Sequence, residues 1–260
     1  MKGVGGLMIN RGGARLVIVT GGSRGIGAAV ARLAAAQGYA VAVNFLQNQR
    51  AAQRVVEEIA SSGGSAIPIK GDVSREAEIV RLFKEAEEAF GPVYGLVNNA
   101  GITGGFARVE EIQTNSLVDV LVTNVAGTIL CAREAVKRMS TQKGGRGGSI
   151  VNISSLAART GGAGEWVHYA ATKGAVNSFT VGLAREVASE GIRVNAVAPG
   201  LIDTDIHASN GAPDRLKQMS PSIPLRRPGT AQEVAEGVVW LLSDAASYTT
   251  GAILEIGGGR

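Results

Sequence analysis

Thr20-Gly21-Gly22-Ser23-Arg24-Gly25-Ile26-Gly27 follows the short apolar run 16–19 and leads into an alanine-rich stretch that starts near Ile26. A strand that turns through glycines into a helix presents free backbone N–H groups and the positive end of the helix dipole at one point. That arrangement suits a phosphate. A glycine-rich turn is common in α/β proteins for geometry alone, and the spacing Gly21, Gly25, Gly27 differs from Gly-x-Gly-x-x-Gly. The longer first turn still accommodates a pyrophosphate over the helix N-terminus.

Outward from this stretch, strand-sized apolar runs recur at 16–19, 40–45, 65–69, 93–97, 149–153, 193–198 and 252–256, with helix-like stretches at 26–37, 50–61, 75–90, 116–139, 167–189 and 231–243 between them. Several strand candidates are apolar throughout, as expected of strands covered on both faces. The pattern predicts a doubly wound α/β fold in one domain: a parallel seven-stranded Rossmann sheet with helices on both faces. Ser74, ahead of Glu76 and Glu78, is the expected N-cap of the third helix. Residues 1–14 are expected to be a flexible N-terminal segment and 15–260 the catalytic domain. Prolines at 213, 221, 224 and 228 make 202–228 an irregular loop with a short helix, expected to form a lid over the site.

Composition excludes several classes. With 45% hydrophobic and 18% charged residues the chain has the make-up of a globular domain rather than a disordered one. Cys131 stands alone and the histidines are His168 and His207, so neither an internal disulfide nor a Cys/His metal cluster is available. These counts point to a reducing, cytoplasmic setting, with Cys131 expected in the core. The apolar run 7–9 is too short for a secretory signal, and no segment reads as a membrane span. The net charge of +4 is spread among acids rather than clustered, which argues against a nucleic-acid surface.

About twenty residues beyond such a loop an acid usually holds the adenosine ribose of NAD. Asn44 stands there, followed by Phe45, and no Asp or Glu occurs from 39 to 56. Arg24 is instead available to pair with a 2′-phosphate, so NADP(H) is favoured over NAD(H). Tyr169 and Lys173 are four residues apart, on one helix face, shortly after Ser154 and Ser155. Reducing a carbonyl creates an alkoxide that needs a proton, and a free phenol titrates near about 10. A neighbouring ammonium is expected to lower that value, and a serine hydroxyl to hold the developing charge.

Taken together, Thr20-Gly21-x-x-x-Gly25-x-Gly27, Asn98-Asn99-Ala100-Gly101, Ser155, Tyr169-x-x-x-Lys173 and Pro199-Gly200 resemble the short-chain dehydrogenase/reductase family from about Arg15 to the C-terminus. The resemblance implies a catalytic set of Asn124, Ser155, Tyr169 and Lys173. Tyr169 would be the general acid/base, Lys173 would tune it and bind the nicotinamide ribose, and Asn124 would hold a relay water. It also implies cofactor contacts from Gly21, Ser23, Arg24, Gly25, Ile26 and Gly27, from Asn44 and Phe45, and from Asp72 and Val73 at the adenine. Asn99, Ala100 and Gly101 would underlie the adenosine half, and Pro199, Gly200, Ile202 and Thr204 would border the carboxamide. Thirteen residues separate Ser155 from Tyr169 where the family commonly has twelve, so one extra residue is placed within 161–168. His168, Trp166, Thr103, Ile206 and His207 are weaker pocket candidates. The expected partners are a small carbonyl or alcohol substrate and, by resemblance, three further copies in a homotetramer. Two alternatives stand: an NAD-preferring sugar or polyol dehydrogenase of the same family, and a dinucleotide-binding sensor without turnover.

Overall fold

The computed structural model describes residues 13–204 and 214–260, with Arg215 described by its backbone alone. The expected lid candidates Ile206 and His207, and residues 1–12 of the N-terminal segment, lie outside the described residues. Seven strands form one parallel sheet: β1 (Leu16–Val19), β2 (Ala40–Phe45), β3 (Ser65–Lys70), β4 (Val93–Asn98), β5 (Gly148–Ile153), β6 (Ile192–Pro199) and β9 (Ile253–Ile256). Their order is β3-β2-β1-β4-β5-β6-β9. The order reverses direction between β1 and β4, and ligands of such sheets bind in the crevice at that point, beyond the carboxyl ends of the strands.

Side chains of a strand alternate between its faces, and β1 shows the result. Val17 and Val19 belong to a core shared with α1 (Gly25–Ala36), α2 (Gln49–Ser61) and α9 (Ala231–Leu242). Leu16 and Ile18 belong to another, shared with α3 (Glu76–Phe90), α5 (Gly127–Met139) and α7 (Val167–Val187). Both faces are covered, which is why these strands read as unbroken apolar runs. Cys131 is buried in the second core, where burial pushes its thiol up to about 12.

Three local expectations change. The stretch 116–139 is α4 (Thr114–Leu121), a π-helical segment Val122–Ala126, and then α5. By length and composition alone, Thr114–Met139 could cross a membrane, with an 18-residue stretch of mean hydropathy 1.4, contrary to the sequence reading. Here it is part of a helical layer: its own Cys131, Ala135 and Met139 are buried, while Val118, Leu121 and Ile129 are exposed. Ser74 is not the cap of α3. Its N–H donates to Asp72 Oδ1 at 2.8 Å in a local turn, and Arg75 takes the N-cap position without a side-chain bond. Within 202–228, the described residues form β7 (Ile202–Asp203), α8 (Arg215–Met219) and a 3₁₀ turn, Ser220–Ser222. β7 pairs in parallel with β8 (Gly229–Thr230), an arrangement too short to register as periodicity.

Phe83 is fully buried between α3 and the sheet. Its replacement by Ala removes a large apolar side chain and leaves a cavity, which costs about 3–5 kcal/mol. Urea unfolding monitored by circular dichroism is expected to show that loss; an unchanged midpoint would contradict the placement of Phe83 in the core.

Candidate active site

Gly21 and Gly25 adopt φ of 61° and 53°, left-handed conformations that side chains disfavour, so the turn out of β1 depends on them. Gly27 meets a different limit: a Cβ there would lie 2.5 Å from Asn99 Nδ2 and from the Gly21 carbonyl oxygen. That closeness is used. Asn99 Nδ2 donates to the carbonyls of Thr20 (2.9 Å) and Gly21 (3.0 Å), and Thr20 Oγ1 accepts from the N–H groups of Asn99 and Ala100. The loops after β1 and β4 are thereby locked together at the switch point.

Arg24 is the N-cap of α1, makes no side-chain capping bond, and no acid occupies the first turn. The exposed helix start is therefore left to an anion, and the glycine cradle with its uncapped N–H groups fits the pyrophosphate of a dinucleotide. Thr204 comes close enough that a Cβ on Gly25 would be 3.6 Å from its methyl group. Ser23 and Ile26 are partly buried in the same turn.

Asn44 is placed differently from the expectation. Its side chain is buried, with Oδ1 accepting from Gly21 N (3.2 Å) and Nδ2 donating to the carbonyls of Ile69 (3.3 Å) and Gly71 (2.9 Å). It ties the glycine loop to the end of β3, and all of these bonds face into the protein. Phe45 points to the opposite face and belongs to the core with α1 and α2. Asp72 caps its own turn, and Val73 crosses the start of α5 so closely that a Cβ on Gly127 would lie 2.8 Å from the Val73 oxygen. At the other end, Gly200 N donates to Ile256 O and Leu156 N to Pro199 O, which holds the exit from β6 against β9 and the β5 connection; Ile202 is buried just beyond.

Gly101 joins the two halves of the site. A Cβ on it would be 3.2 Å from Asn124 Oδ1 and 3.6 Å from Lys173 Nζ. Asn124, in the π-helical segment, is fully buried; its Oδ1 accepts from Ile102 N (2.9 Å) while Nδ2 donates to Ile102 O (2.8 Å) and Thr172 Oγ1 (3.1 Å). Such π insertions are frequent at functional positions. Lys173 is 5% exposed, donates from Nζ to Ile153 O at 2.7 Å, and lies 5.6 Å from the centre of the Tyr169 ring. Burial holds Lys173 down to about 8.

Tyr169 accounts for a further correction. Burial pushes its phenol up to about 12, opposed by a hydrogen bond with the Ser155 hydroxyl. Desolvation disfavours the phenolate, and the Lys173 ammonium lies over the ring, 5.6 Å from its centre. The two serines separate cleanly. Ser154 is buried and donates to Asn177 Oδ1 at 2.6 Å, whereas Ser155 reaches Tyr169 and accepts from Ala157 N.

His168 is buried on the neighbouring face of α7, its Nε2 beside Gly104, and both ring nitrogens are without a hydrogen-bond partner among the described residues. Thr103 is buried nearby. Among the described residues no group of three His, Cys, Asp or Glu side chains is placed to hold a metal. Sequence reasoning missed Thr20 and Thr172. Each hydroxyl touches a candidate residue, and each lies inside a motif already singled out.

Known proteins resemble this chain in sequence and in fold. A family model described as enoyl-(acyl carrier protein) reductase matches residues 21–260. The oxidoreductase YgfF of Escherichia coli is 50% identical over 245 residues, covering 94% of this chain and 99% of that protein. The 3-oxoacyl-[acyl-carrier-protein] reductase FabG of Staphylococcus epidermidis is 40% identical, covering 93% and 97%. Among solved structures, a dehydrogenase/reductase from Sinorhizobium meliloti superposes with a TM-score of 0.88 at 34% identity, covering 97% and 96%. A short-chain dehydrogenase/reductase from Serratia marcescens gives 0.87 at 33%, covering 94% and 97%.

Because Asn44 supports the loop from beneath, Asn44→Ala is expected to raise the dissociation constants of NADPH and NADH together, each by about tenfold, the order expected when buried hydrogen bonds are lost. Fluorescence titration of both cofactors checks this. A change confined to one of them would assign Asn44 to the ribose instead.

Proposed function

This chain belongs to the short-chain dehydrogenase/reductase family, as an NAD(P)-dependent oxidoreductase acting on carbonyl and alcohol groups, and we propose that it uses NADP(H) with Tyr169 as general acid/base. The observation that carries the reading is the convergence of Ser155, Tyr169 and Lys173 beside Gly101, at the carboxyl edge of the sheet and one loop away from the glycine cradle.

When bound, the nicotinamide supplies the hydride for reduction or accepts it in oxidation. In reduction the Ser155 hydroxyl donates to the substrate oxygen, and Tyr169 Oη gives its proton to the oxygen as the alcohol forms. Lys173, held on Ile153 O, keeps a positive charge against the phenol ring while its neighbour loses the proton. Asn124, Thr172 and the Ile102 backbone hold the floor of this site rigid, with Asn124 as the anchor of proton exchange with solvent. Exposed Arg24 at the start of α1 takes the 2′-phosphate, a reading supported by the lack of any acid in β2 and its following turn. Ile202 and Thr204 flank the carboxamide end.

The relatives named 3-oxoacyl-[acyl-carrier-protein] reductases support a 3-oxoacyl thioester as the first substrate class to test. The exposed apolar face at Val118, Leu121 and Ile129 supports a homotetramer, and the single buried cysteine supports a cytoplasmic setting. NADPH oxidation against 3-oxoacyl thioesters, sugars, ketones and aldehydes is the decisive screen. Turnover with NADPH well ahead of NADH is expected; tight cofactor binding without turnover of any member would favour the sensor.

Three further outcomes follow from the geometry. Ser155→Ala is expected to lower kcat by about 10²-fold or more while Ser154→Ala keeps most of it, the usual scale for losing one oxyanion donor; the reverse order in steady-state assays would move the role to Ser154. Arg24→Ala is expected to raise KM for NADPH by about tenfold and leave that for NADH nearly unchanged, as loss of one charge-assisted phosphate contact predicts. The Lys173 ammonium, depressed by burial, is present below about 8 and is lost as pH rises through that value. The kcat/KM of carbonyl reduction should therefore fall on the alkaline side of that point, and a profile that stays flat well above it would remove Lys173 from the step.

A further inference from the structure

The connection into α7 is shaped by three glycines in left-handed conformations, Gly161, Gly162 and Gly164, with φ of 80°, 60° and 74°. Gly162 is fitted to its neighbour, since a Cβ there would lie 2.6 Å from Trp166 Cδ1. Ala107 N donates to Glu165 O at 2.8 Å and clasps this connection to the loop that follows β4. Across the clasp the Phe106 and Trp166 rings stack with centroids 4.7 Å apart and planes 19° from parallel. Trp166 in turn leans on Tyr169, with centroids 5.6 Å apart and an interplanar angle of 52°. Three rings stand in file, drawn from two loops and a helix, and the last is the ring that carries the phenol.

We propose that Phe106 and Trp166 form a positioning wall for Tyr169, which holds its ring toward Ser155 and keeps water from the phenol. The proposal rests on the reading of Tyr169 as the acid/base. Neither wall residue carries a charge, so the pair acts by packing and by lowering the local dielectric, which favours the neutral phenol over the phenolate. Lys173 works against it from the same helix. From α7 the Lys173 ammonium lies over the Tyr169 ring, and from the β5 connection the Ser155 hydroxyl bonds the phenol. His168, next to it in sequence, has its Nε2 beside Gly104 instead. The wall and the ammonium together set where Tyr169 exchanges its proton. Opening the wall hydrates the phenol, which makes the phenolate easier to form.

Alcohol oxidation requires the phenolate, so its rate rises with pH along a limb that reports this balance. Wild type, Trp166→Ala, Trp166→Phe, Phe106→Leu and Tyr169→Phe are compared across neutral to alkaline pH with NADP⁺ and an alcohol found in the substrate screen. Trp166→Ala is expected to move the limb to lower pH by about one unit, a modest share of the shift that full burial produces. It is also expected to lower the plateau kcat by about tenfold as the ring loses its orientation, with KM for NADP⁺ unchanged. Trp166→Phe should restore the wild-type limb, and Phe106→Leu should shift it in the same direction by less. Phe106→Leu carries the test where Trp166→Ala fails to fold, because the outer ring does not touch Tyr169. If Tyr169→Phe is inactive while the limb stays in place in the wall variants, the wall is overturned and the acid/base reading stands. If Tyr169→Phe retains turnover, the acid/base reading falls and the wall with it.

Discussion

A buried ammonium must be hydrogen-bonded, and Lys173 finds its partner at the carboxyl end of β5, in the carbonyl of Ile153. This bond sets the position of α7 along the sheet, and therefore where the residue one turn earlier, Tyr169, stands. Ser154 reinforces it: the hydroxyl donates to Asn177 Oδ1 and lies 3.3 Å from the Lys173 carbonyl, so the strand exit and the helix are held together beside the lysine. With Ser154 committed to that seam, Ser155 is the serine that turns toward the phenol. The neighbouring hydroxyls have opposite duties because a strand end directs consecutive side chains to opposite sides.

Deeper in the layer, a run of buried side chains extends the same constraint. Asn152 Nδ2 donates to Thr180 Oγ1 on α7, and Asn152 Oδ1 accepts from Asn98 Nδ2, which also reaches the Thr128 carbonyl at the start of α5. Thr128 Oγ1 donates to Asn124 O, and Asn124 returns to α7 through Thr172. These bonds link β4, β5, α5 and α7 in one satisfied network. In a low-dielectric interior such a network penalises every arrangement that breaks it, so it selects one register of helix against sheet. The π-helical segment at Asn124 belongs to this network, since the asparagine side chain is held by the Ile102 backbone across the layer.

At the opposite side of the switch point, packing limits rather than charges define the cradle. Gly27 has no room for a Cβ beside Asn99, and Asn44 anchors the loop from below. Asn44 stands in a strand whose residues are all buried, and the direction of its side chain depends on which face of β2 it occupies. Sequence position alone made it a stand-in for a ribose-binding acid; its neighbours at Ile69 and Gly71, more than twenty residues away, make it a brace. The same limit explains Ser74, whose capping role was forestalled by an Asp72 turn, and the phenol of Tyr169, which burial pushes up against its bond with Ser155.

Much of this protein was legible along the chain. Unbroken apolar runs separated by helical periods determine a parallel sheet covered on both faces, because a strand buried on both sides has no polar positions to alternate. The placement of the glycines, the Asn99-Ala100-Gly101 turn, Tyr169 and Lys173 was legible for a similar reason: it follows from local backbone geometry or from a four-residue helical spacing. The tertiary structure alone decided what Ser154 and Asn44 hold, and that Phe106 and Trp166, sixty residues apart, stack into one wall. Each of these is a contact between segments distant in sequence, and its direction is set by how whole layers pack, which no local pattern encodes.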